Sequence, residues 1–166
     1  MNRACSARSH LSYFTKLRRW ARQPPQRRLL LAEAAVWLAL ARVVLILFPF
    51  RTIAARLGTV SVPNDASRRE PANNPSPETV RVAQAVGWAV GRAARHLPFE
   101  AVCLPQALAA KMMLRRRGIE SSLHFGVRRS GGAAAALEAH AWLDAAAVKV
   151  TGYPVATEFV EIVCFL

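Results

Sequence analysis

Cysteine is scarce in this chain: Cys5, Cys103 and Cys164 are the only three in 166 residues. No two are closely paired, so no disulfide framework is written into the sequence, and a reducing cytoplasm suits a working thiol. The cysteines and histidines match no zinc-binding spacing, and no metal or other cofactor is expected. Acidic residues are also few, ten against 23 lysines and arginines, which leaves a net charge of +13. That imbalance implies an anionic partner, a membrane surface or an arginine-rich proteome. The aromatic-and-basic interleaving of nucleic-acid modules is missing, so no nucleic-acid partner is expected. There is no internal repeat and no low-complexity tract. With 53% hydrophobic residues, the chain has material for one globular core and is not disordered.

Residues 1–28 are basic and irregular, with Arg18-Arg19, Arg22 and Arg27-Arg28 around the Pro24-Pro25 breaker, and predict a solvated helix and linker. Leu29 to Phe48 is the most apolar stretch, followed by Pro49. Its length would permit a membrane span. Glu33 and Arg42 oppose that, at roughly 2.5–3.5 kcal/mol each near a bilayer centre, and no small-residue cleavage site follows Phe48. The two charges point to opposite sides of a helix. The expectation is a helix enclosed by protein or by a partner, with membrane contact the less favoured alternative. Residues 61–76 carry Pro63, Pro71, Pro75 and Asn73-Asn74 and read as a loop. Ser76-Pro77-Glu78 then opens a helix with an N-cap, a proline in the first turn and an early acid. Arg81, Gln84, Trp88, Arg92 and Arg95 form its polar stripe, and Leu97-Pro98 ends it.

The chemistry lies further on. Cys103-Leu104-Pro105 begins a helical pattern of Leu104, Leu108 and Met112, because proline is tolerated only in a first turn. Arg115–Arg117 load its end with positive charge and Gly118 is the expected terminator. Cys103 is thus set at a helix N-terminus, where unpaired N–H groups and the macrodipole favour a thiolate. Two alternating segments follow, Ser122–Arg128 and Leu137–Asp144, and the second carries Ala139-His140-Ala141-Trp142. Glu138, His140, Trp142 and Asp144 share one face. A third strand, Ala147–Thr151, is expected to return through a turn at Ala145-Ala146, which would set Thr151 opposite His140. A thiol on a helix start followed by a histidine on an antiparallel sheet is the order of papain-like and transglutaminase-like enzymes. Cys103 is the candidate nucleophile and His140 the candidate base. Gln106 is a candidate aid to the oxyanion hole, Trp142 a candidate shield for the pair, and Thr151 a candidate orienter of the imidazole. His96 and His124 read as structural.

The run Cys103-Leu104-Pro105-Gln106-Ala107-Leu108-Ala109, the Arg116-Arg117-Gly118-Ile119 turn, the Phe125-Gly126-Val127 strand and Ala139-His140-Ala141-Trp142-Leu143 together resemble the leader peptidases of lasso-peptide biosynthesis. Arg28-Leu29-Leu30 and Pro49-Phe50-Arg51 extend the resemblance over most of the chain. It implies an α+β, transglutaminase-like cysteine protease, with residues 1–60 a basic and apolar helical region, 61–76 a loop and 77–166 the protease core. The substrate would be a precursor peptide, and a separate ATP-dependent macrolactam synthetase would close the freed core. Some members carry a fused N-terminal leader-binding module. None is expected here, so a separate leader-binding protein is implied. The family's third catalytic group is an Asp about a dozen residues after the histidine, where this sequence reads Val150-Thr151-Gly152-Tyr153 and offers no carboxylate. Asp144 lies roughly 13 Å along a straight strand from His140, too far to substitute. That leaves either a Cys–His dyad with a weaker orienter, the Thr151 hydroxyl or a backbone carbonyl, or an impaired member with a degenerate triad; the dyad is the expectation. The rival functions are another transglutaminase-like amidase or acyltransferase, and a non-catalytic binding or membrane-associated protein.

Overall fold

The computed structural model describes residues 24–61, 75–129 and 136–166. Helix α1 spans Pro25–Leu47 and the short α2 spans Phe50–Ala54. Pro25 occupies the first turn, and the chain leaves α1 at an extended Phe48, as expected of a residue before proline. Strand β1 is Val60–Ser61. Helix α3, Pro77–Ala94, starts as its sequence predicts: the Ser76 Oγ accepts the Thr79 N–H at 3.1 Å. Helix α4, Cys103–Arg115, ends at Gly118 (φ 68°), whose left-handed conformation needs a residue without Cβ.

The sheet holds β2 (Ser122–Arg129), β3 (Leu137–Ala145), β4 (Val148–Thr151) and β5 (Val160–Phe165), joined by β1. Its order is β1-β5-β2-β3-β4, and every neighbouring pair is antiparallel. One face, with Leu123, Ala141, Leu143 and Phe165, joins the helices in a single buried core. The alternate residues, His124, His140, Trp142, Asp144 and Cys164, fall on the other face.

Helix α4 is the centre of the helical layer, packed on α1, α3, β3 and β4. It is buried at Ala107, Leu108, Ala109, Ala110, Met113 and Leu114. Lys111, a charged residue in the middle of this helix, is also buried. Its ammonium donates to the carbonyls of Ser121 (2.8 Å) and Phe165 (3.3 Å), so it clamps two strand ends.

Helix α1 buries Ala34, Leu38 and Ala41 in the shared core, so it is part of the domain. The described residues do not enclose it, however. Leu29, Val36, Leu40, Val43, Ile46 and Leu47 remain exposed on its outer side, and by length and composition it is long and apolar enough to cross a membrane. Glu33 faces inward and makes a two-pronged ion pair with Arg117 beyond α4, at 2.6 and 3.0 Å.

Candidate active site

Cys103 is the first residue of α4 and is half-buried. Its N-cap, Val102, has no polar side chain, and no side-chain hydrogen bond caps the helix. The first-turn N–H groups of Cys103 and Leu104 therefore have no partner within the helix ladder. Pro105, third in the helix, has no N–H to leave unpaired. Gln106 donates its side-chain amide to the Ala101 carbonyl at 2.6 Å. That bond pins the segment leading into Cys103, so one of the amide's two N–H groups is committed there and not to an oxyanion.

His140 lies in β3 and is half-buried. Its Nε2 stands 2.7 Å from the Gly152 carbonyl oxygen. A carbonyl only accepts, so Nε2 carries the hydrogen and Nδ1 keeps the lone pair. The expected Thr151 contact is absent because the hairpin register differs from the one predicted. The turn residues are Ala146 and Ala147, both at positive φ (50° and 59°), not Ala145 and Ala146. Ala145 pairs with Val148 and Asp144 with Lys149; a bulge then sets Thr151 opposite Leu143. An odd shift moves a side chain to the other face. Thr151 is consequently buried away from His140, its hydroxyl without a hydrogen-bond partner among the described residues.

Trp142 stacks between two histidines. Its ring centroid is 6.0 Å from that of His140 (23° between planes) and 5.5 Å from that of His124 (6°). Phe159 closes on His140 at 5.2 Å, and Arg128 lies over Phe159. Asp144 turns away from His140 as its spacing implies: its carboxylate accepts the Tyr153 hydroxyl at 2.7 and 2.8 Å. Burial first, then that bond, raises the Tyr153 pKa well above its ordinary value.

His124 was legible only as a structural histidine, yet the fold gathers a polar cluster around it. Nδ1 is 3.0 Å from Glu161 and Nε2 is 3.5 Å from Asp144, while Cys164 lies across on β5. This second cysteine and histidine are both buried. They come together through β2–β5 pairing, which no local spacing in the sequence announces.

No hydrogen bond joins Cys103 to His140 among the described residues. Two concave spaces lie elsewhere. A cavity of about 1010 Å³ sits at the far end of α4, beside Lys111, Arg115 and Gly118. A groove of about 390 Å³ runs between α1, α2 and α4, lined by Trp37, Leu40, Val44, Phe48 and Met112.

Residues 44–164 match the transglutaminase-like superfamily, so the chain belongs to that superfamily. Its α+β fold of helices on a five-stranded antiparallel sheet agrees with that membership. The activities of such domains are of the cysteine-protease and acyl-transfer type. No curated protein and no solved structure matches the chain.

Proposed function

We propose that this protein is a cytoplasmic cysteine peptidase that removes the leader from a lasso-peptide precursor, with Cys103 as nucleophile and His140 as base. The observation that carries this reading is the His140 Nε2–Gly152 carbonyl bond. Gly152 lies in the Val150–Tyr153 neighbourhood where the resemblance expects an acid, and its backbone carbonyl takes over the orienting task. With Nε2 held as donor, Nδ1 is the nitrogen that receives the thiol proton. The Cys103 sulfur then attacks the scissile carbonyl carbon, and the oxyanion meets the uncapped N–H groups at the start of α4. His140 returns the proton to the departing amine, leaving a thioester that water hydrolyses to regenerate the thiol. Thiol and imidazole are not hydrogen-bonded in the free chain, and His140 stands on the sheet face away from the helical layer that carries Cys103, so the mechanism requires that contact to form when substrate binds.

His140 is favoured over His124 because it is half-exposed and one of its nitrogens is uncommitted. The rival pair, Cys164 with His124, is buried, at 2% and 6% exposure, and out of reach of a peptide. A separate leader-binding protein would present the precursor. The exposed apolar side of α1 supports the existence of such a partner, and an ATP-dependent synthetase would close the macrolactam. The Glu33–Arg117 tie and the packed inner side of α1 support a helix belonging to the catalytic domain.

The test is mass spectrometry of precursor incubated with the enzyme, with and without the leader-binding protein. Cys103→Ala and His140→Ala should each abolish release of a leader ending in a free carboxylate, while Cys5→Ala cleaves normally. Cleavage by Cys103→Ala overturns the mechanism. Transfer of the acyl group to an added amine in place of hydrolysis would make the protein an acyltransferase.

A further inference from the structure

The polar face of the sheet holds a second set of donors that the proposed peptidase chemistry does not use. His124, Glu161 and Cys164 bring one nitrogen, one carboxylate oxygen and one sulfur within 4.8 Å of one another. The strand geometry that achieves this is specific. Glu161 and Cys164 are three apart in β5, and a regular strand would send them to opposite faces. The β2–β5 ladder shifts register between Phe125 and Gly126, so that Cys164 pairs with His124 while Glu161 pairs with Gly126. The bulge therefore turns both side chains toward His124, which is the kind of re-aiming that bulges provide.

The hydrogen-bond pattern points the same way. Carboxylate oxygens face both imidazole nitrogens, Glu161 at Nδ1 and Asp144 at Nε2. A cation bound between Nδ1, Glu161 and Cys164 would take the Nδ1 lone pair and leave Nε2–H to donate to Asp144. Metal-bound histidines are commonly held in this way by a carboxylate on the far nitrogen. Asp144 is itself fixed by the Tyr153 hydroxyl, and the imidazole plane is fixed by Trp142.

We infer that His124 Nδ1, Glu161 and Cys164 form a zinc site that clamps β5 to β2, with solvent in the fourth position. Nitrogen, oxygen and sulfur donors in one small set suit Zn²⁺ better than a hard cation. The site would act on the fold, because metal bound only by the native state adds to its stability.

The experiment uses the full chain carrying Cys103→Ala, which removes the half-exposed thiol, and Cys5→Ala. Metal-free protein is titrated with zinc chloride against a chromophoric chelator, and with cobalt chloride for its spectrum. One equivalent should bind, the cobalt form should show a thiolate charge-transfer band, and thermal unfolding should move upward with zinc. Cys164→Ser should lose the band. Glu161→Gln should weaken zinc binding, and Asp144→Asn should weaken it roughly 10–100-fold, as loss of an outer-shell partner does. If Cys164→Ser does not fold, the partly exposed Glu161→Gln carries the test. Failure to bind one equivalent, or binding and a cobalt band that survive both Cys164→Ser and Glu161→Gln, overturns the site.

Discussion

Gly152 is the position where a single methyl group tests the site most directly. Its φ is +81°, in the left-handed region, and a Cβ built there would press on the Ala141 carbonyl oxygen and lie 2.8 Å from the Trp142 Cα. Both neighbours are backbone of β3, which cannot swing aside. A non-glycine residue in this conformation costs about 1–2 kcal/mol, and overpacking against fixed atoms costs about 1–3 kcal/mol. Gly152→Ala should therefore destabilise the protein by roughly 2–5 kcal/mol. Whatever relief the chain finds must move residue 152 away from β3, and its carbonyl away from His140 Nε2. Urea unfolding should show a lower midpoint at unchanged slope. Turnover on precursor, measured where the variant is still folded, should fall as the imidazole loses its orienter. Gly152→Asp should behave no better, even though it restores a carboxylate where the resemblance expects one, because the added carbon meets the same backbone. A Gly152→Ala protein within about 0.5 kcal/mol of the parent, with full turnover, would refute the reasoning.

Two further outcomes follow from the ion pairs and the tyrosine. The Arg117 hydrogen bond holds the Glu33 pKa below its ordinary 4.5 despite partial burial. A depressed acid stabilises above its unfolded pKa, so Glu33→Gln should cost about 1 kcal/mol at neutral pH, and the difference should vanish as pH falls through the lowered folded value. Tyr153 has the opposite sign: its raised pKa gives stability that is complete below the unfolded value near 10 and is lost as pH rises toward the folded one. Tyr153→Phe should cost about 1.5 kcal/mol at neutral pH, and the parent should lose that advantage in alkaline unfolding curves while the variant does not.

What could be read from the sequence was local. Ser76-Pro77-Glu78 specifies a helix start by itself, since a hydroxyl, a fixed φ and an early acid act within one turn, and α3 begins at Pro77. Cys103 at the head of α4 and Gly118 past its end were legible for the same reason. The alternation in β2 and β3 gave both strands and put His140 and Trp142 on one face. The hairpin register was beyond such reasoning. Ala146 and Ala147 adopt positive φ without being glycine or asparagine, so nothing in their chemistry marks the turn, and a one-residue bulge exchanges Thr151 for the Gly152 carbonyl as the neighbour of His140. Strand β5 was not anticipated at all. Its residues Val160–Phe165 do not alternate, since four apolar residues run together after Glu161; they follow a Pro154-containing segment and pair with a strand about 40 residues earlier.

That missed strand matters because it adds a second criterion that separates the two histidines. From sequence, His140 rose above His124 only through its Ala-His-Ala-Trp setting. In the fold the two imidazoles flank the same indole, and their second-nitrogen partners separate them. His140 has a carbonyl on Nε2 and keeps Nδ1 as a basic lone pair, in a position that is half-exposed. His124 has carboxylates at both nitrogens, a buried thiol beside it and 6% exposure. A base must cycle its proton at a surface the substrate reaches, whereas an imidazole fixed between anions suits a bound cation. On the proposed roles, Trp142 is the wall between a reactive histidine and a ligating one, not a lid over a single pair.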